Sequence, residues 1–133
     1  MDVTDERARQ LPWFDAASGL SVGILVLALH GPIAQLDQLP EPVVFWMGVA
    51  NTAYAGFGTA LGLLRRAWLA RLLVAANAAW AVVCVVILVR YGGEVSVFGW
   101  LHVGGEGLYV LVLAAVEWRY RDAMIAPATA AAT

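Results

Sequence analysis

The sequence offers its chemistry in a pair: His102 and Glu106, inside the stretch GWLHVGGEGLYVLV from Gly99 to Val112. On a helix, positions i and i+4 stand one above the other. The imidazole and the carboxyl therefore share a face, and Tyr109 continues it. The rest of the stretch is apolar enough to cross a membrane, where a carboxylate at the helix centre costs about 2.5–3.5 kcal/mol. Glu106 is expected to turn inward, and to carry a proton or find a partner. Other apolar stretches hold their own isolated polar side chains: His30, Asn51 with Tyr54 one turn away, and Asn77. Counted by depth, Glu106 and Asn77 fall near the midplane and Asn51 about one turn outward. His30 and His102 fall roughly 6–8 Å outward of the middle at 1.5 Å per residue.

The elements that position these residues follow from composition. Of 133 residues, 62% are hydrophobic and 14% charged, against about 45–50% and about 25% in a soluble domain. The charges are segregated. Ala16 to Leu36, Pro42 to Leu64, Leu72 to Val89 and Val95 to Val116 are nearly free of Asp, Glu and Arg, the last broken only by Glu106. A span needs about 20 largely apolar residues. The pattern predicts an all-α integral membrane protein with spans near 14–34, 43–64, 67–90 and 96–118, after a cytoplasmic segment 1–12 and before a disordered tail 123–133. The short connections GPIAQLDQLPEP and RYGGEVS force successive spans to alternate in direction, giving an antiparallel up-down four-helix transmembrane bundle.

Arginine sets the orientation. Arg7, Arg9, Arg65, Arg66, Arg71, Arg119 and Arg121 fall on one side and only Arg90 on the other. Both termini and the Arg65–Arg71 turn are expected to be cytoplasmic. Trp13, Trp68 and Trp118 mark that boundary and Trp46 and Trp100 the outer one, since indoles favour the membrane interface; Trp80 lies deep. Small residues offer close helix approach: Gly19 and Gly23 on span one, and Gly48, Thr52, Gly56 and Ala60 on span two.

Three stretches carry a resemblance: DAASGLSVG (Asp15, Ser18, Gly19, Gly23), AANAAW (Asn77, Trp80) and AAVEWRYR (Glu117, Trp118). The chain resembles a family of small bacterial four-span inner-membrane proteins to which no activity is assigned. The resemblance implies the fold, and implies a hydrogen-bonding side chain at position 106, an amide in relatives. It also draws attention to Asp15 and Glu117 at the cytoplasmic boundary. Asp15 is expected to cap the start of span one, and Glu117 to pair with Arg71, Arg119 or Arg121.

No nucleophilic triad, P-loop or H-E-x-x-H is present, so the sequence points away from an enzyme. A net charge of −2 gives no reason to expect a nucleic-acid partner. Cys84 stands alone, as a small apolar packing residue. Three roles remain open. Glu106, His102, His30, Asn51, Asn77, Tyr109 and Tyr54 form a buried cluster that binds a small ligand or protons. Alternatively the chain is a structural or accessory subunit of a larger membrane complex, or a homo-oligomer, and the polar residues clip its helices together. In the third reading, His30 and His102 hold a haem or a metal.

Overall fold

The computed structural model describes residues 3–126. Four helices account for nearly all of them: α1 (Val3–Asp37), α2 (Glu41–Leu64), α3 (Ala67–Tyr91) and α4 (Val97–Ile125). No strand occurs among the described residues. α1 packs along α2 and α3 along α4, α1 also lies against α4, and the α2–α3 contact is slight.

Three helices, α1, α3 and α4, are long and apolar enough to cross a membrane. α2, expected as a fourth span, falls short on hydropathy and not on length. Its Gly48, Asn51, Thr52, Gly56, Gly58, Thr59 and Gly62 replace aliphatic bulk with small or polar groups. Between the charged ends, much of the exterior is apolar. Val89 is 81% exposed, Val97 78%, Leu101 71% and Leu63 68%, while the buried interior contains Asp15, Asp37, Asn51, Asn77 and Glu117. That distribution inverts the usual one for a domain in water.

Three helix limits differ from the sequence expectation. α1 starts at Val3 and not near residue 14, so the segment expected to precede the span is itself helical. Pro12 sits inside it with its carbonyl facing Gly58, and Trp13 lies over Gly62. At the other end α1 runs through Gly31-Pro32, where a stop is expected. Pro32 has no N–H to give the carbonyl four residues back, and its ring crowds that carbonyl. The helix absorbs the insult as a kink at Leu29 (φ −118°, ψ 19°) and continues to Asp37. Most of the predicted first connection is thereby helix. The chain turns at Gln38, in the left-handed region at φ 56°. Leu39 N–H closes the end on Ala34 O at 3.1 Å, a Schellman-type cap. α4 continues to Ile125, into the tail expected to be disordered; the rest of that tail, residues 127–133, lies outside the described residues.

Apolar packing forms two separate cores. One holds Val26, Val44, Met47, Cys84, Ile87 and Val103. The other, toward the Arg65 turn, holds Leu61, Leu69, Ala70, Leu73 and Met124. At that turn Arg65 adopts φ 48°, donates its N–H to Leu61 O, and reaches Met124 O and Ala126 O with its guanidinium at 3.3 and 3.4 Å. Polar side chains occupy the interior outside these cores.

Candidate functional site

All four helices face one small cavity of about 50 Å³. α1 brings Asp15 and Ser18, α2 Asn51 and Tyr54, α3 Asn77 and Trp80, and α4 Glu106 and Tyr109. A water needs about 10–15 Å³ by this kind of measure, so the cavity has room for a few. Pockets for organic ligands run to about 300–1,000 Å³. The space suits water, protons or a small ion, and no organic molecule of ordinary size.

One polar group is built on Glu106. Its Oε1 accepts from Asn51 Nδ2 at 2.8 Å and from Trp80 Nε1 at 2.6 Å, so side chains from α2, α3 and α4 meet on one oxygen. Asn51 Nδ2 also reaches Met47 O at 3.1 Å. The other carboxyl oxygen, Oε2, is buried without a hydrogen-bond partner. It faces His102 Nε2 at 3.9 Å. His102 Nδ1 in turn pairs with Asp37 Oδ2 at 2.7 Å. Asp37 is completely buried. It is held there by Ser96, whose N–H donates to Asp37 O at 2.9 Å and whose hydroxyl donates to Leu36 O at 2.5 Å. The same hydroxyl accepts from Gly99 N–H at 3.0 Å, capping α4. Gly99 has no Cβ to keep α1 away: one there would lie 2.5 Å from Asp37 O.

The second group is built on Asn77. Its Nδ2 donates to Glu117 Oε2 at 3.0 Å and to Asp15 Oδ2 at 3.4 Å. All three are buried: Asp15 is 5% exposed, Asn77 2% and Glu117 0%. Glu117 Oε1 has no partner. Beside this group Ser18 donates to Asp15 O at 3.0 Å and accepts from Tyr109 at 3.1 Å, and the Tyr54 hydroxyl donates to Ala76 O.

The sequence-derived candidates are therefore divided. Glu106, His102 and Asn51 come together. Tyr109 and Tyr54 line the cavity, the first bonded to Ser18 and the second to backbone. Asn77, expected beside Glu106, serves Asp15 and Glu117. Its amide has two hydrogens, and both go to acids on other helices. His30 stands apart, half-buried: Nδ1 meets Leu27 O at 2.8 Å and Nε2 meets Glu41 Oε1 at 3.1 Å. Each histidine is committed to its own carboxylate. Among the described residues no group of three His, Cys, Asp or Glu could hold a metal ion.

Asp15 and Glu117 take parts that differ from those expected. Because α1 starts at Val3, Asp15 lies three turns inside the helix and caps nothing. Glu117 turns inward to Asn77, and none of the ion pairs among the described residues joins it to an arginine. Asp37, read as a loop acid, is a buried partner of His102. Trp80, noted for its depth and within AANAAW, donates to Glu106. Together these groups extend from His102 to Glu117, roughly 22 Å along α4 at 1.5 Å per residue.

No family model matches the chain, and comparison with curated proteins and with solved structures found no match either.

Proposed function

We propose that the protein is a small multi-pass membrane protein, non-catalytic, that takes up and releases protons at buried carboxyl groups around a water-sized cavity. In this reading all four helices cross a bacterial inner membrane as an antiparallel up-down bundle, with both termini cytoplasmic. The apolar exterior supports insertion, and the arginine distribution supports the orientation. α2 crosses despite its lower hydropathy because its most polar interior position, Asn51, faces the other helices and not the lipid.

The observation that carries the function is the charge balance of the interior. Asp15 and Glu117 are held by a neutral amide, and Glu106 by a neutral amide and indole with His102 Nε2 at 3.9 Å as its one ionisable basic neighbour among the described residues. The chain's eight basic residues are all arginines, and among the described residues none forms an ion pair with these three acids. Unpaired carboxylates are costly in such a medium by several kcal/mol each. Protons supply the missing positive charge, and the cavity supplies water to carry them.

The same hydrogen bonds also tie helices together, which is a structural role and needs no proton exchange. Glu106→Gln separates the two. Glutamine keeps an acceptor for Asn51 and Trp80 and removes the exchangeable proton. The test is infrared difference spectroscopy of the full chain in lipid nanodiscs between low and high pH. The wild type is expected to show a protonated-carboxyl band that titrates, and Glu106→Gln to lose a component of it while keeping its helix content. A wild-type spectrum with no titrating carboxyl band beyond that of exposed acids such as Glu6, Glu41 and Asp122 would leave only the clip.

A further inference from the structure

The acids around the cavity need a way to reach water. Toward the Arg65 turn the interior is closed by Leu61, Leu69, Leu73 and Met124, all at most 4% exposed. In the other direction the polar contacts continue. Glu106 leads to His102, and His102 to Asp37. His102 is the most exposed member of this series, its side chain 20% accessible, against 10% for Glu106 and none for Asp37. Each of the two acids it faces keeps one buried oxygen without a partner, Asp37 Oδ1 and Glu106 Oε2.

We propose that His102 is the port through which protons pass between the surface and Glu106, with Asp37 as the residue that orients it. The inference rests on the proton-exchange reading and names its route. The titratable groups facing the ring are Asp37 from α1 and Glu106 from α4 itself. α2 and α3 bring neutral donors there, Asn51 and Trp80, to the oxygen of Glu106 that His102 does not face. The ring's two nitrogens have separate tasks, set by what each meets. Nδ1 gives its hydrogen to Asp37 Oδ2 at 2.7 Å and keeps it throughout. Nε2 is the exchanging atom. In the imidazolium form the Nε2–H bond breaks and an O–H bond forms on Glu106 Oε2, leaving a neutral imidazole and a neutral carboxyl. Nε2 then takes a proton from hydronium at the surface, leaving water. The reverse sequence releases a proton. The 3.9 Å gap is longer than a hydrogen bond, so each transfer needs a small swing of the Glu106 side chain. Asn51 and Trp80 hold Oε1, so the swing turns the carboxyl about that oxygen and moves the unpartnered Oε2.

His102→Asn tests the port without dissolving the site. The Asn amide stands where Nδ1 does, so it still donates to Asp37, and nothing replaces Nε2. The readout is the rate at which the titrating carboxyl band of the full chain in nanodiscs responds to a pH jump. His102→Asn is expected to slow that response by about 100-fold, the range of a positioned acid–base group, with its final amplitude unchanged. Free imidazole in the buffer is expected to restore much of the rate, which a purely structural role would not permit. His30→Asn, at the histidine outside the series, is expected to keep the wild-type rate. A wild-type rate in His102→Asn would overturn the port while leaving proton exchange standing. Absence of the titrating band in the wild type would overturn both.

Discussion

At the scale of single residues, Asn77 carries the greatest consequence for its size. One amide serves two carboxyls from two other helices, and all three groups are buried. Hydrogen bonds between helices in membranes average only about 0.6 kcal/mol, because the separated helices find other partners. Asn77 should exceed that, since it is the side-chain donor that both Asp15 and Glu117 use. Asn77→Ala is expected to destabilise the fold by about 1–3 kcal/mol, the cost of leaving buried polar groups unsatisfied. Asn77→Asp should be worse, because a third acid replaces the donor. Denaturation in graded mixed micelles, followed by circular dichroism, orders the three proteins; equal midpoints for wild type and Asn77→Ala would contradict the geometry. The sequence made part of this site legible. His102, Glu106 and Asn51 were conspicuous because each is a lone polar group in an apolar stretch. Glu117 was not, standing at the edge of its stretch beside arginines. A signal was nonetheless present: Glu117 lies eleven positions after Glu106, about three turns of helix, and so on the same face. Asp37 offered no comparable cue. Its burial depends on α1 running past Pro32, which a local reading of Gly31-Pro32 argues against.

At the scale of elements, glycine decides how near α1 and α2 come. A Cβ on Gly23 would lie 2.8 Å from Thr52 N and 3.1 Å from Gly48 O, and one on Gly58 would lie 2.8 Å from Pro12 O. These neighbours are backbone and cannot swing aside. Gly56, on the same helix as Gly58, has nothing within 4 Å of the corresponding point. Gly23→Ala is therefore expected to cost about 1–3 kcal/mol through overpacking. Gly56→Ala is expected to be neutral or to stabilise by up to about 1 kcal/mol, by removing a flexible residue from a helix interior. Thermal unfolding of the two variants in the same detergent compares them directly, and a larger loss for Gly56→Ala would reject the packing. The small-residue ridge Gly48, Thr52, Gly56 and Ala60 was visible in the sequence as a smooth face. Which of its members meet a neighbour was not, because α2 turns only part of that ridge toward α1. Gly48 lies against Leu27, and Gly56 is left open. Helix ends were the least legible feature. Trp13 and Arg9 suggest a boundary, yet helix continues through both, since Ala8 and Pro12 are buried and extend the packing surface below the apolar stretch.

At the scale of the whole molecule, the proton reading requires that the Asp37 end and the Arg65 end open to opposite sides of a membrane. Charge supplies the argument for which is which. Seven of eight arginines lie in the first turns of α1, around the Arg65 turn or near the end of α4. Only Arg90 lies near the turn that follows α3. Positive charge near short connections is retained on the cytoplasmic side. The His102 port would then face outward, and the apolar core of Leu61, Leu73 and Met124 would close the cytoplasmic end. Single cysteines introduced in a Cys84→Ser background give the check, with Cys84 itself buried and shielded. Gln38→Cys sits in the turn after α1, and Arg66→Cys in the turn after α2. In intact cells a membrane-impermeant maleimide is expected to label the first and not the second, and permeabilisation should expose the second. The charge bias is robust to losing Arg66, because the other arginines on that side remain. Labelling in the opposite pattern would turn the port toward the cytoplasm, so that His102 would sense internal rather than external pH. Labelling of both sites in intact cells would mean that the two turns share a side. The single helix between them, α2, then does not cross, and its low hydropathy would be telling the truth about where that helix lies.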